Sequence, residues 1–239
     1  MTNKILFKFA GASAIGQTHI ENGLPNQDAL ALIKKKKAVA IAVSDGMGSR
    51  PLSQIGSQTA VNCVSEALDL VDSSVDVKDF IRLVCALWRI RLKDTDIGKY
   101  SCTCLFSVLF KNGRLISAIL GDGVIYARTG KEEIILSGKT KEFANLTIPM
   151  DKCQIDDWQW FDKKAEGELG LMLASDGIAD DIEYVKLSSF YDSLYKNSVL
   201  IKGRAKKRNG CIKWILEHWT RPYSNDDKTL AVMKGKINV

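Results

Sequence analysis

Carboxylates recur in this chain where an apolar run gives way to glycine. Asp45 follows Ala38-Val39-Ala40-Ile41-Ala42-Val43-Ser44 and precedes Gly46, and Asp176 follows Leu169-Gly170-Leu171-Met172-Leu173-Ala174-Ser175 and precedes Gly177. Asp28 opens a third segment after Asn26-Gln27, and Asp226-Asp227 stand just ahead of Lys228-Thr229-Leu230-Ala231-Val232-Met233-Lys234. A single Asp-Gly is an ordinary turn former, because the aspartate side chain bonds its own backbone. Four such positions at separate strand ends suggest something more. Mg²⁺ and Mn²⁺ take oxygen ligands, typically several carboxylates with a backbone carbonyl and waters. Rigid strand ends can bring distant segments to one point, and glycine after aspartate lets the backbone approach a cation closely. The chemistry implied is the binding of divalent metal.

For those carboxylates to meet, the strands that carry them must share one end of a sheet structure. Residues 5–14, 28–34 and 38–44 read as strands, the last a continuous apolar run of the kind buried on both faces. Residues 53–70 and 77–93 read as helices, the second with Ile81, Val84, Cys85, Trp88 and Leu92 at helical spacing. From 101 to 136 strands alternate with glycine turns, including the hairpin signal Asn112-Gly113, and an antiparallel meander is expected. The less regular stretch 137–168, with Trp158, Trp160 and Phe161, should contain a further strand. Residues 170–175 read as a strand, 183–195 and 207–219 as helices, and 228–234 as the last strand. Strands grouped in two runs with helices inserted between them predict an α+β fold. No linker or repeat divides the chain, so one domain over 1–239 is expected.

The 239 residues, 46% of them hydrophobic, suffice for a sizeable core, and 26% charged residues with 8% aromatics exclude the disordered class. No apolar run approaches the roughly 20 residues that cross a bilayer. Lys8 interrupts the first apolar stretch, so a signal peptide is not expected and a cytoplasmic location is. Cys63, Cys85, Cys102, Cys104, Cys153 and Cys211 read as reduced thiols. Cys102-x-Cys104 lies in an apolar run without a second Cys/His pair, which argues against zinc. No cysteine sits in the arginine-bearing phosphate loop that a cysteine phosphatase needs, and His19 and His218 are the only histidines. The net charge is +6, and a basic cluster of Lys202, Arg204, Lys206, Lys207 and Arg208 lies between two helix-like segments. That cluster lacks interleaved aromatics and reads as a solvated loop, not as a nucleic-acid platform.

Gln27-Asp28, Ser44-Asp45-Gly46-Met47-Gly48, Ser101-Cys102-Thr103, Gly121-Asp122, Ala174-Ser175-Asp176-Gly177-Ile178-Ala179-Asp180 and Asp226-Asp227-Lys228-Thr229 follow one another across nearly the whole chain. This ordered series resembles that of the metal-dependent type 2C (PPM) serine/threonine protein phosphatases, and the stretch from Gly11 to Leu30 resembles a bacterial subgroup. The resemblance implies a four-layer α-β-β-α sandwich of two antiparallel sheets flanked by helices. It implies two Mn²⁺ or Mg²⁺ ions in a cleft at one end of the sheets. Asp45 would bridge them, the Gly46 carbonyl would join it, Asp176 and Asp226 would complete one shell, and Asp28 would act through the other ion or its waters. Asp122 and Asp180 match positions associated with a third, looser ion. Asp180 also lies four residues beyond Asp176, a spacing that returns it to the same face of a helical turn. The implied reaction is hydrolysis of phosphoserine or phosphothreonine by direct attack of a hydroxide bridging two ions about 4 Å apart. The implied partner is a phosphorylated protein, a kinase or its target, met by a monomer without membrane or nucleic acid.

The chain departs from the family pattern at three points. Many members carry Glu before the first Asp and a phosphate-clamping Arg five residues ahead of that Asp, where this chain has Gln27 and Gly23. His19 and Arg50, each near a proposed metal ligand in sequence, are the candidates to hold substrate phosphate instead. Some members carry His directly after Asp-Gly; Met47 stands here and removes that route for general acid catalysis, typically worth about 10²–10⁴-fold. The flap expected between Gly-Asp and the second Ser-Asp-Gly is short, at 137–168 with Asn145-Leu146-Thr147 inside it, and 181–225 reads as a cover beside the cleft. The alternative function is a catalytically silent module that binds a phosphorylated partner or regulates a kinase. Retention of Asp28, Asp45, Asp176 and Asp226 favours the enzyme.

Overall fold

A computed structural model describes residues 7–138, 147–219 and 224–237. The strands are β1 (Lys8–Ala14), β2 (Ala29–Lys34), β3 (Ala38–Ser44), β4 (Cys104–Phe110), β5 (Arg114–Leu120), β6 (Val124–Thr129), β7 (Glu132–Ser137), β8 (Gln159–Lys164), β9 (Gly167–Ala174) and β10 (Lys228–Ile237). They form two antiparallel five-stranded sheets, ordered β2-β3-β4-β5-β8 and β1-β10-β9-β6-β7. The helices are α1 (Gln17–Glu21), α2 (Ser53–Leu70), α3 (Val77–Leu92), α4 (Asp176–Ala179), α5 (Leu187–Leu194), α6 (Ser198–Lys202) and α7 (Ala205–Glu217).

The side-chain period of two explains the layers. Along β3 and β4, Ile41, Val43, Leu105 and Leu109 point between the sheets and meet Ile125, Leu171, Leu173, Ala231 and Met233 of the other sheet. Their neighbours Ala40, Ala42, Phe106 and Val108 point the other way, onto Val61, Val64, Phe80, Val84 and Trp88 of α2 and α3. Both faces are covered, which is why these strands read as continuous apolar runs. On the far side, Tyr126, Met172 and Val232 pack against Tyr191 and Leu194 of α5 and Ile212 and Leu216 of α7. The result is the expected α-β-β-α sandwich. Its helix pair is tightly seated: a Cβ on Gly56 of α2 would lie 1.8 Å from the Tyr100 carbonyl oxygen, and Trp88 Nε1 donates to the Gly56 carbonyl at 3.0 Å.

Several local expectations need correction. The stretch 101–136 is not one meander. Asn112-Gly113 does close a β4–β5 hairpin, with Gly113 at φ 85°. The next glycine turn instead carries the chain to the other sheet, where β6 pairs with β7 and β9, and β5 takes β8 as its second partner. Gly121 at φ 79° and Gly123 at φ 120° make that crossing possible, since side-chain-bearing residues rarely adopt either conformation. The basic cluster is not a free loop. Lys202 ends α6, and residues 205–208 form the first turn of α7, where positive charge opposes the helix dipole. Burial of Ile212 and Leu216 offsets that cost, and Arg208 donates to the carbonyls of Phe9 at 2.8 Å and Gly203 at 2.6 Å. The helix expected at 183–195 spans only 187–194, after a single 3₁₀ turn. α1 and α6 are short elements that periodicity does not reveal. The first strand's residues 5 and 6, and Asn145 and Leu146 of the short flap, lie outside the described residues.

The registers place the carboxylates. Ala29 pairs with Ser44, so Asp28 and Asp45 lie side by side just beyond the end of the β2–β3 ladder. Ala174 pairs with Leu230, so Asp176 and the Asp226-Asp227 pair lie just beyond the end of β9–β10 in the opposite sheet. One edge of the sandwich therefore gathers segments almost 200 residues apart in sequence.

Candidate active site

Asp28, Asp45 and Asp176 are held in place by hydroxyls and backbone groups. The Ser175 hydroxyl donates to Asp28 Oδ2 at 2.8 Å, and the Asp28 amide donates to Asn26 Oδ1 at 2.9 Å. The Asp45 amide donates to Thr103 Oγ1 at 2.8 Å while the Asp45 carbonyl accepts the Thr103 amide at 2.8 Å. The Ser44 hydroxyl donates to the Thr103 carbonyl at 2.6 Å, and the Met47 amide to the Ser101 carbonyl at 3.0 Å. Ser101-Cys102-Thr103 is thus a strut under the Asp45 turn. The turn itself needs glycine, because a Cβ on Gly46 would lie 2.8 Å from the Gln27 carbonyl oxygen. A Cβ on Gly177 would meet the Asp227 carbonyl oxygen at 2.1 Å.

These carboxyls carry raised proton affinities. Each keeps a solvent-facing edge, yet each is packed closely enough for lost hydration to dominate. Desolvation pushes Asp45 well above the usual carboxylate range, and the charges of Asp28, Asp176 and Asp226 add to it. Asp28 is pushed up to about 7, first by desolvation, with hydrogen bonds from Thr229 and Ser175 opposing and the charges of Asp227 and Asp176 assisting. Asp176 is pushed up to about 6, by desolvation and then by Asp226. The Asp45 carboxyl is close enough to those of Asp28 and Asp176 for their proton affinities to be linked. Four carboxylates therefore converge, and among the described residues no Lys or Arg makes an ion pair with Asp28, Asp45 or Asp176. Such a cluster lacks only positive charge.

The remaining predicted residues fall in different settings. The Asp226 side chain is about half exposed (48%), and its Oδ1 accepts the Asp227 amide at 2.8 Å. Asp227 is the buried member of the pair, at 2% exposure. His19 is also buried, and its Nδ1 lies 2.9 Å from Asp227 Oδ2. Asp122 accepts a hydrogen bond from the Thr147 hydroxyl. The Asp180 amide donates to the Asp176 carbonyl at 2.9 Å, and Asp180 lines a cavity of about 160 Å³ together with Gly123 and Tyr184. Arg50, whose amide donates to the Met47 carbonyl at 2.9 Å, has its Nε buried without a hydrogen-bond partner. Gln27 Oε1, Ser53 Oγ and Gln54 Oε1 are buried and unpartnered in the same way. The roles of Asp227 and Lys228 escape sequence reasoning. Lys228 Nζ donates to the carbonyls of Ser224 at 2.9 Å and Asp226 at 3.1 Å, which fixes the loop ahead of β10. Among the described residues no helix is long and apolar enough to cross a membrane.

The family model described as protein phosphatase 2C matches residues 15–204 of the chain. No curated protein matches it at a significant level. Solved structures do. A serine/threonine phosphatase of S. agalactiae is 16% identical with a TM-score of 0.66, over 95% of this chain and 99% of that one. The catalytic domain of the serine/threonine protein phosphatase PstP, in complex with two manganese ions, is 16% identical with a TM-score of 0.60, over 98% and 100%. RsbX in complex with magnesium is 13% identical with a TM-score of 0.58, over 99% and 98%. At these identities the likeness establishes the fold.

Proposed function

Because the chain belongs to the protein phosphatase 2C family, a family of metal-dependent phosphatases, we propose that it removes phosphate from phosphoserine and phosphothreonine in proteins. The carrying observation is the convergence of Asp28, Asp45, Asp176 and Asp226, in which burial and neighbouring carboxylates raise the proton affinity of Asp28, Asp45 and Asp176 and none of these three has a cationic partner among the described residues. The donor set fits two Mn²⁺ or Mg²⁺ ions: hard carboxylate oxygens, with the Gly46 carbonyl in a turn where no Cβ fits. Magnesium in RsbX and manganese in PstP support the same choice of ion. Asp45, on which the charges of Asp28, Asp176 and Asp226 all act, would be the carboxylate shared by the two ions. Asp226 presents Oδ2, since its Oδ1 is occupied by the Asp227 amide. Asp122 and Asp180 would be the residues left to hold a third ion.

When bound, the ions supply a water of lowered pKa and neutralise charge on the phosphoryl oxygens. The chain's own residues supply position. Ser175 holds the Asp28 carboxylate, and Thr103 fixes the Asp45 backbone from which its carboxylate faces the cleft. Arg50 is the stronger of the two phosphate candidates, because its Nε is a buried donor with no acceptor in the protein, whereas the His19 ring is packed against Asp227. A guanidinium is suited to phosphate by its planar fork of donors. The substrate is a phosphorylated protein. Purified protein with Mn²⁺ should hydrolyse a phosphothreonine peptide, and EDTA or Asp45→Ala should abolish turnover. Turnover that survives both would refute the two-metal reading, and Mn²⁺ binding without turnover would identify a silent module.

A further inference from the structure

We propose that His19 and Asp227 form a buried positioning pair that sets the Asp226 carboxylate, and the segments carrying Asp28 and Asp176, without either residue ligating an ion. This rests on the proposed metal-dependent function.

Asp227 is buried between three chain segments. Its Oδ1 accepts the Gly16 amide at 2.7 Å and its Oδ2 the Gln27 amide at 2.6 Å. The second bond fixes the residue directly before Asp28. The Asp227 amide in turn donates to Asp226 Oδ1 at 2.8 Å, so the same residue orients the neighbouring carboxylate. Its carbonyl approaches Gly177, directly after Asp176, so closely that no side chain fits there. One carboxylate residue thus touches the backbone or side chain beside three of the four clustered aspartates.

His19 closes the arrangement from α1. That helix sits on the 225–227 turn: the Thr18 amide donates to the Asn225 carbonyl at 3.2 Å, and a Cβ on Gly16 would lie 2.3 Å from the Asp226 carbonyl carbon. The His19 ring reaches between the two acids, with Nδ1 2.9 Å from Asp227 Oδ2 and Nε2 3.8 Å from Asp226 Oδ1. The Nδ1 contact lies off the hydrogen-bond direction, so the ring is held by packing and electrostatics more than by one directed bond. Nitrogen and carboxylate oxygens of His19, Asp226 and Asp227 lie within 4.8 Å of one another, close enough to suggest a metal triad. Coordination by Asp227 would compete with two short main-chain bonds in the interior, and that competition favours positioning over ligation.

Residues that orient metal ligands typically contribute 10–100-fold to metal affinity. The test is calorimetric Mn²⁺ binding, with thermal unfolding in EDTA, on the unsubstituted protein, His19→Phe, His19→Gln and Asp227→Asn. The expected result is a Mn²⁺ dissociation constant raised about 10–100-fold in His19→Phe, partly recovered in His19→Gln, at folded-state signals like those of the parent in EDTA. Asp227→Asn, which keeps the side-chain shape, should show a rise of the same order if the phenylalanine variant fails to fold. Parental Mn²⁺ affinity in folded His19 and Asp227 variants overturns the positioning role. Complete loss of one bound ion in both His19 variants also overturns it, by making His19 a ligand. Failure of the unsubstituted protein to bind Mn²⁺ overturns the parent reading instead.

Discussion

In EDTA at pH 7.5, replacing Asp45 with asparagine should stabilise the protein. The metal-free cluster is under electrostatic strain, and its size follows from the shifted carboxyls. Asp28 rises from 3.8 to about 7, and Asp176 from 3.8 to about 6. A carboxyl whose pKa is higher in the folded state adds stability below its unfolded pKa and loses it as the pH climbs through the folded value. For Asp28 that rise corresponds to roughly 4 kcal/mol. Its solvent-facing edge screens part of that, and the clustered carboxyls share protons, so the contributions do not add. A net loss of about 2 kcal/mol between pH 5 and pH 7.5 is expected. Carboxylates with lowered pKa values, such as Glu133 beside Tyr126 and Asp192 beside Arg128, lose their contribution only as the pH falls to the acid side of this window. Asp45 is itself pushed well above the usual carboxylate range, by burial and then by the charges of Asp28, Asp176 and Asp226, and asparagine has no proton to bind there, so the variant should flatten this slope and be more stable at pH 7.5 by a similar amount, about 2 kcal/mol or roughly 4–8 °C in a chain of this size. Urea unfolding in EDTA at the two pH values measures both effects. A variant less stable than its parent at pH 7.5, or parental stability that rises from pH 5 to 7.5, would refute the reasoning.

Other outcomes are equally specific. Gly177→Ala drives a Cβ onto the Asp227 carbonyl oxygen, 2.1 Å from its ideal position, and should weaken Mn²⁺ binding at least about 10-fold by calorimetry. Arg50→Ala should raise KM for a phosphopeptide about 10–100-fold, the value of one charge-assisted hydrogen bond, with kcat little changed in steady-state kinetics. Leu109→Ala opens a void between the sheets, where Leu109 is 1% exposed, and should cost about 2–5 kcal/mol in urea unfolding while leaving Mn²⁺ affinity intact.

The sandwich and the carboxylate positions were legible in the sequence for a shared physical reason. A strand buried on both faces must be apolar throughout, and a turn that meets a backbone needs glycine, so Ala38 to Gly46 and Leu169 to Gly177 carried both signals at once. The crossing at Gly121–Gly123 was not legible, because a hairpin and a change of sheet both require glycines at positive φ and differ only in tertiary partners. The first turn of α7 was hidden by its basic residues, which are poor company for a helix N-terminus and are held there by Ile212, Leu216 and the Arg208 bonds. The resemblance assigned Asp226 to the metal shell, but the role of Asp227 was not legible in the sequence. Their difference lies in which carboxylate turns inward to meet the Gly16 and Gln27 amides, 211 and 200 residues away. His19 and Arg50 looked equivalent as phosphate binders until packing placed one against Asp227 and left the other with a buried, unpartnered donor.

The central claim is that two divalent ions sit among Asp28, Asp45, Gly46, Asp176 and Asp226. Anomalous diffraction from crystals grown with Mn²⁺ tests it directly. Two peaks about 4 Å apart, with an Asp45 carboxylate oxygen coordinated to each, are the result expected. A single peak bound by His19, Asp226 and Asp227, or no peak at the carboxylate cluster, would contradict it.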